Sequence, residues 1–157
     1  MALEATYSQY KKTNFKIGIV ILIGFGLYCA YDGYFKEKFI NKHTVDGRPD
    51  LTLQFNQNAP YVLIPVAAVL GLWFLLVKDR KITAEADGIT INGREKIAYD
   101  SIEKIDKTYF ETKEYFVITY TNESGGETER RLDGRDYDNL SAILNELVAK
   151  ISEEPES

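Results

Sequence analysis

Two stretches of this chain, residues 17–31 and 59–77, contain no charged side chain. No other feature constrains the fold as strongly, because a chain of 157 residues holds one domain plus attachments. The second stretch has nineteen residues, near the ~20 that cross ~30 Å of hydrocarbon as a helix. Its Val, Leu, Ile and Phe residues together favour insertion by roughly −3 to −7 kcal/mol. Pro65 and Gly71 weaken a helix in water, yet both residue types are common in membrane helices. The first stretch is shorter, about 22 Å as a helix. Phe15 and the stem of Lys16 extend it at one end, and Tyr34 and Phe35 at the other.

A cleaved signal peptide is the rival for the first stretch, since Lys11, Lys12 and Lys16 precede the apolar core. Cleavage needs small residues at both specificity positions, and Tyr28-Cys29-Ala30 puts a tyrosine at one of them. Tyr28 before Cys29 also makes a poor lipoprotein signal. An uncleaved helix is the expectation. The division is an N-terminal segment 1–14, a first span 15–34, a loop 35–58, a second span 59–77, a folded domain 78–152 and an acidic tail 153–157. Lys11, Lys12 and Lys16 flank one span, and Lys78, Arg80 and Lys81 follow the other, so the expected orientation puts both termini in the cytoplasm. Lys36, Lys38, Lys42 and Arg48 in the loop reduce that bias. Cys29 is the lone cysteine, which excludes an internal disulfide and reads as a packing residue.

Small residues stand four apart at Gly26/Ala30 and at Ala67/Gly71. Such pairs let helices approach closely, either each other or a second membrane protein. No charge lies in either apolar run to serve an ion or proton relay. In the loop, Tyr31, Phe35 and Phe39 recur at helical spacing, which suits an extension along the bilayer interface. Asp46-Gly47-Arg48-Pro49 signals a turn. Leu51, Leu53 and Phe55 alternate with polar residues, as a short strand does. His43 with Asp46 and Asp50 is no recognisable metal set.

Beyond Lys78 the period changes to two. Ile82, Ala84 and Ala86 alternate, Asp87-Gly88 turns the chain, Ile89 and Ile91 alternate, and Asn92-Gly93 turns it again. Ile97 and Tyr99 begin a third strand, and residues 102–110 read as a fourth with a bulge or bend near Ile102 and Ile105. Residues 115–120 and 127–132 complete six strands. A closing helix follows, with Asp136 as the expected N-cap. Its apolar stripe is Tyr137, Leu140, Ile143, Leu144, Leu147, Val148 and Ile151.

The segment Ile82-Thr83-Ala84-Glu85-Ala86-Asp87-Gly88-Ile89-Thr90-Ile91-Asn92-Gly93, continuing with Ile97-Ala98-Tyr99-Asp100-Ser101-Ile102-Glu103-Lys104-Ile105 and the final helix, resembles bacterial pleckstrin-homology-like domains that follow paired membrane helices. The likeness covers about half the chain. It implies a bent antiparallel sheet or barrel capped by the C-terminal helix, and binding in place of catalysis. Phosphoinositide-binding relatives cluster Lys and Arg in the first hairpin, whereas Glu85-Ala86-Asp87-Gly88 stands here.

The expected fold class is therefore a membrane α-helical hairpin plus an α+β domain. The expected function is a non-catalytic, membrane-anchored interaction module at the inner membrane, with the bilayer and another membrane protein as partners. A homo-oligomer and a lipid-sensing role remain open. Lys78, Arg80 and Lys81 are the candidate headgroup contacts, each able to gain ~1 kcal/mol against anionic lipid. No cofactor and no metal is expected, and the net charge of −5 argues against nucleic acid. Among the acids, Asp133, Asp136 and Asp138 are close enough for carboxylate chemistry, though a helix cap accounts for them more simply.

Overall fold

A computed structural model describes residues 2–153, which divide into two compact units. One comprises residues 12–76; the other joins the N-terminal residues up to Lys11 to the chain from Val77 onward.

The first unit is an antiparallel helical hairpin. Helix α1 spans Gln9–Tyr34, α2 spans Glu37–Lys42, a short ribbon pairs β2 (Thr44–Val45) with β3 (Arg48–Pro49), and α3 spans Leu51–Val77. Both long helices are apolar enough to cross a membrane, and their most apolar windows are only 11% buried within the protein. They do not fill a core of this chain. Phe15, Ile19, Leu22, Gly26, Cys29 and Gly33 form the covered or half-covered seam of α1. Leu53, Asn56, Pro60, Leu63, Ala67, Leu70 and Phe74 form that of α3. The steps of three and four residues are those of two packed helices. Three pairs fix the register: Phe15 lies against Phe74 with ring centres 6.0 Å apart, Gly26 against Leu63 and Ile64, and Gly33 against the backbone of Asn56 and Gln57.

Gly33 makes the closest approach to the backbone of the other helix. A Cβ there would stand 3.0 Å from Asn56 C and Gln57 N. Of the anticipated small residues, Gly26 and Ala67 are buried in the seam, while Ala30 is half-covered and Gly71 faces open space. Val20, Ile21, Leu27, Tyr28 and Tyr31 of α1 face outward, as do Val62, Val69, Leu72, Trp73 and Leu76 of α3.

Two expectations for the loop are corrected. Residues 51–55 are the first turn of α3 and not a strand. Asp50 accepts the Leu53 N–H at 2.9 Å, as an N-cap does, and the helix then continues without a break into the apolar run. The stripe Tyr31, Phe35 and Phe39 is also interrupted. Phe35 N and Lys36 N both donate to Tyr31 O, which closes α1, and Phe39 in α2 packs against the His43 ring at 4.4 Å. The predicted turn is present: Asp46 and Gly47, at φ 50° and 75°, connect β2 to β3.

The second unit has one strand more than the sequence pattern suggests. Leu3–Thr6 forms β1, which pairs antiparallel with β4 (Lys81–Ala84) in the register Leu3↔Ala84 to Thr6↔Lys81. β5 (Gly88–Ile91) and β6 (Glu95–Ala98) complete a four-stranded sheet in the order β1-β4-β5-β6. A 3-10 turn at Tyr99–Ser101 leads to β7 (Ile102–Asp106), then α4 (Phe110–Lys113), β8 (Tyr115–Thr121) and β9 (Glu127–Asp133). These strands make a three-stranded sheet in the order β7-β8-β9. Helix α5 (Leu140–Glu153) closes the unit.

The core joins Ala5 of β1 to Ile82, Ile89, Ile91, Ile97, Phe116, Ile118 and Leu132 of the sheets and to Ile143 and Leu147 of α5. A short segment ahead of a membrane helix reads as a tail, because Leu3 and Ala5 show only one turn of alternation. Pairing with β4 is what makes it a strand.

Asn92 and Gly93 take φ 54° and 66°, as an Asn-Gly hairpin requires. Gly88 is needed for a different reason. A Cβ on it would lie 2.3 Å from Ile97 O, so the crossing of β5 over β6 leaves no room for a side chain. The register shifts between Ile102 and Lys104, where the sequence indicates a bulge. The fourth predicted strand stops at Asp106, whose carboxylate accepts Thr108 N–H at 3.0 Å and turns the chain into α4. Of the acidic tail expected at 153–157, only Glu153 is described, as the last residue of α5.

Ala5 is fully buried. Ala5→Asp places an unpaired charge there and should cost about 3–5 kcal/mol, read as a lower melting temperature of full-length protein in detergent. Gly33→Leu forces the helices apart at their closest point. Its expected signature is faster proteolysis of the loop, with melting of the strand-rich unit unchanged.

Candidate functional site

The residues with chemistry to offer lie in three places: the segment where β1 meets α1, the surface of the strand-rich unit, and the loop between the long helices.

Only Tyr7 and Ser8 separate β1 from α1. Tyr7 N donates to Arg80 O and Ser8 N to Asp136 O, both at 2.8 Å, and Asp138 N donates to Thr6 O at the same distance. Asp138 Oδ2 then accepts Gln9 N–H at 2.8 Å, and Asp136 pairs with Lys11. These acids were expected to start the C-terminal helix. They serve the start of α1 instead: the Asp138 carboxylate caps a free N–H at the positive dipole end of that helix, and the Asp136 carboxylate pairs with Lys11 in its first turn. Helix α5 begins later, at Leu140, after Asn139 takes φ 66°. Asp133 is engaged by Arg131 and Arg135, so each of the three acids has a partner of its own.

The anticipated headgroup contacts are largely committed within the protein. Lys78 pairs with Asp79 at 2.7 Å and Lys81 with Glu4 at 2.6 Å. Glu4 lies on β1, so sequence reading of the domain alone could not supply that partner. Arg80 is exposed, and among the described residues it has no ion-pair partner. The tight basic cluster of the sequence is thus one unengaged arginine beside two ion pairs.

Of three grooves on the described surface of the strand-rich unit, two hold clustered tyrosine and arginine side chains. The larger, about 750 Å³, lies among Arg94, Lys96, Ser101, Tyr120, Asn122 and Ser124. Beside it Glu95 accepts Tyr120 O–H at 2.8 Å and meets Arg130 at 3.2 Å. Burial, then the Glu95 carboxylate, pushes the Tyr120 hydroxyl pKa up, so it remains a donor. Arg130 Nε is buried without a hydrogen-bond partner among the described residues. The smaller groove, about 480 Å³, is lined by Lys113, Glu114, Tyr115, Arg131 and Arg135 among others. Arg131 stacks on Tyr115 at 3.7 Å, Tyr115 lies 5.5 Å from Tyr109, and Lys113 stands over Tyr109 at 4.6 Å. Asp133 accepts both arginines, at 2.9 Å each. Cations and carboxylates alternate in both grooves, which suits polar recognition of another surface and gives neither a strong field. Tyr109 and Tyr115 stood in the sequence as strand residues. Their ladder with Arg131 arises because α4 folds back on β8.

In the loop, His43 Nδ1 and Asp50 Oδ2 are 2.8 Å apart, and backbone and imidazole contacts lower the Asp50 pKa. Among the described residues no group of three His, Cys, Asp or Glu side chains is arranged to hold a metal ion. Comparison with protein-family models, with curated proteins and with solved structures finds no match to this chain.

The Asp133 carboxyl is held far below the usual carboxylate range, first by Arg135 and also by Arg131. A carboxylate depressed on folding contributes stability above its unfolded value of ~3.9, lost as pH falls toward the folded value. Asp133→Asn should therefore destabilise the fold at neutral pH by about 1–2 kcal/mol, read as a lower melting temperature. It should also flatten the loss between pH 5 and 3, to which Asp87 and Asp106, likewise lowered, still contribute. Thermal melts of full-length protein and variant across that window check this.

Proposed function

We propose that this chain is a membrane-anchored interaction module, a scaffold, assembly or accessory subunit, whose strand-rich unit binds another membrane protein on the cytoplasmic side of the inner membrane. The observation that carries the reading is the pairing of β1, which precedes the hairpin, with β4, which follows it. Residues 12–76 leave and return to neighbouring strands about 5 Å apart. A chain built this way, if it enters a bilayer, crosses it an even number of times. The lysines at 11, 12 and 16 and the basic residues 78, 80 and 81 favour the cytoplasm as the common side. A cleaved signal peptide fits poorly, since cleavage would remove the strand that contributes the fully buried Ala5.

The resemblance to pleckstrin-homology-like domains gains support from the count and order of elements. Antiparallel sheets of four and three strands followed by a closing C-terminal helix are compatible with the helix-capped antiparallel sheet that the resemblance implies. On this reading the membrane hairpin is inserted between the first and second strands of the domain. The internal pairing of Lys78 and Lys81 weighs against an inositol-lipid or headgroup sensor. It favours the protein-binding role, for which the free edges of β6 and β9 and the mixed-charge grooves provide surface.

Three measurements test the proposal. Epitopes at the two termini should both be reached by antibody only after the cytoplasmic face is opened, and the protein should stay in the pellet through an alkaline carbonate wash. A tagged full chain in mild detergent should carry a stoichiometric larger membrane protein. Recovery of the tagged chain alone would overturn the scaffold role, and release by carbonate would overturn the anchoring. The protein used must keep residues 3–6, because a fragment starting at Lys78 lacks β1.

A further inference from the structure

From the outward face of α3, we infer that its first two turns, residues 51–58, are seated in the headgroup and upper acyl region of the bilayer and are not a water-exposed loop. The inference rests on the reading that the hairpin spans a membrane, and it moves the lipid-embedded part of α3 from residue 59 back to residue 51.

Two independent observations support it. Leu51 is 84% exposed and Phe55 is 56% exposed, and at i and i+4 they share one face of the helix. Further along that face come Val62, Val69 and Leu76, all exposed. The apolar outer surface therefore begins at residue 51 and reaches residue 76, interrupted on this face by Asn58, whose amide is bonded back to the helix. α3 contains no charged residue across its 27 positions, about 40 Å of helix against ~30 Å of hydrocarbon.

The second observation concerns the amides between those apolar residues. Gln54 donates to Pro49 O at 3.1 Å, Asn56 to Thr52 O at 2.9 Å, Gln57 to Gly33 O at 3.1 Å and Asn58 to Gln54 O at 2.8 Å. All four side-chain amides of this segment give a hydrogen to a backbone carbonyl of the hairpin. A polar side chain satisfied in this way needs less water, which is the condition set by the outer part of a bilayer. The nearest charges on either side behave consistently. Asp50 is held by the Leu53 N–H and His43, and Asp32, with its side chain 3% exposed, pairs with Lys36 at 2.9 Å. The Lys36 side chain is 45% exposed and is long enough to reach headgroups.

A lipid surface is the committed occupant. A second copy of the chain and a protein partner are competing outcomes of the test. The native single tryptophan, Trp73, provides an internal reference near the other end of the helix. Full-length protein carrying Trp73→Phe and Leu51→Trp, and a second variant with Trp73→Phe and Phe55→Trp, are reconstituted in phosphatidylcholine–phosphatidylglycerol vesicles. Spin-labelled lipids of graded depth and aqueous iodide then serve as quenchers.

The expected result is blue-shifted emission from position 51 or 55, strong quenching by headgroup and shallow-chain labels, and several-fold weaker iodide quenching than for free tryptophan. Iodide access at both positions overturns the inference, with the spanning hairpin intact if Trp73 in the native protein is still quenched by lipid labels. Shielding from both iodide and lipid labels also overturns it, because protein then covers the face. Loss of lipid quenching at Trp73 itself would show that the spanning reading had failed first.

Discussion

The hydrogen-bonded ladder between β1 and β4 is the constraint on which the rest of the architecture depends. It joins residues 3–6 to residues 81–84 across an intervening hairpin of long helices. Fixing two segments so distant in sequence carries a loop-closure cost that grows slowly with length. A hairpin whose helices already pack antiparallel returns the chain to its starting point, which reduces that cost. The core then secures the ladder, with Ala5 enclosed among isoleucines of the sheet and residues of α5.

The same ladder explains the chemistry around it. Glu4 comes within reach of Lys81, and the carbonyl of Arg80 receives the N–H of Tyr7. The loop from Asp133 to Asn139 lies beside the start of α1, where Asp138 accepts the Gln9 N–H and Asp136 pairs with Lys11. Lys78 and Lys81, two of the three basic residues expected as lipid contacts, each have an acidic neighbour, while Arg80 has none among the described residues. A surface pair of this kind stabilises the fold little, by about 0–1 kcal/mol. Its larger effect is to change what the surface can attract.

The helical hairpin obeys a different rule. Its side chains are mostly turned outward, so the helices are held by close approach at Gly26 and Gly33 and by hydrogen bonds between Tyr34, Gln57 and Gly33 near one end. Packing through small residues with a polar clamp is how helices associate where burial of apolar surface gives no driving force. Gly33 escaped notice in the sequence because it follows Asp32, outside the charge-free run. Its importance comes from the backbone of α3 passing 3.0 Å from where a side chain would be.

Much was legible in the residues alone, wherever a local pattern has one physical solution. Charge-free runs of adequate length gave the two long helices. The Asn92-Gly93 dipeptide gave its hairpin, because few residues tolerate positive φ, and the alternation after Lys81 gave the strands. The apolar stripe from Leu140 gave α5. Patterns with two solutions needed the tertiary structure. Leu51, Leu53 and Phe55 suit a strand or a helix, and the Asp50 cap with the apolar run behind it decides for the helix. Leu3 and Ala5 are too few to announce a strand, and only the exposed edge of β4 makes them one. Asp136 and Asp138 read as the cap of the helix that follows them. The fold gives them to α1, more than a hundred residues earlier, because carboxylates bind whichever N–H group or cation the chain brings near, Gln9 N–H for Asp138 and Lys11 for Asp136.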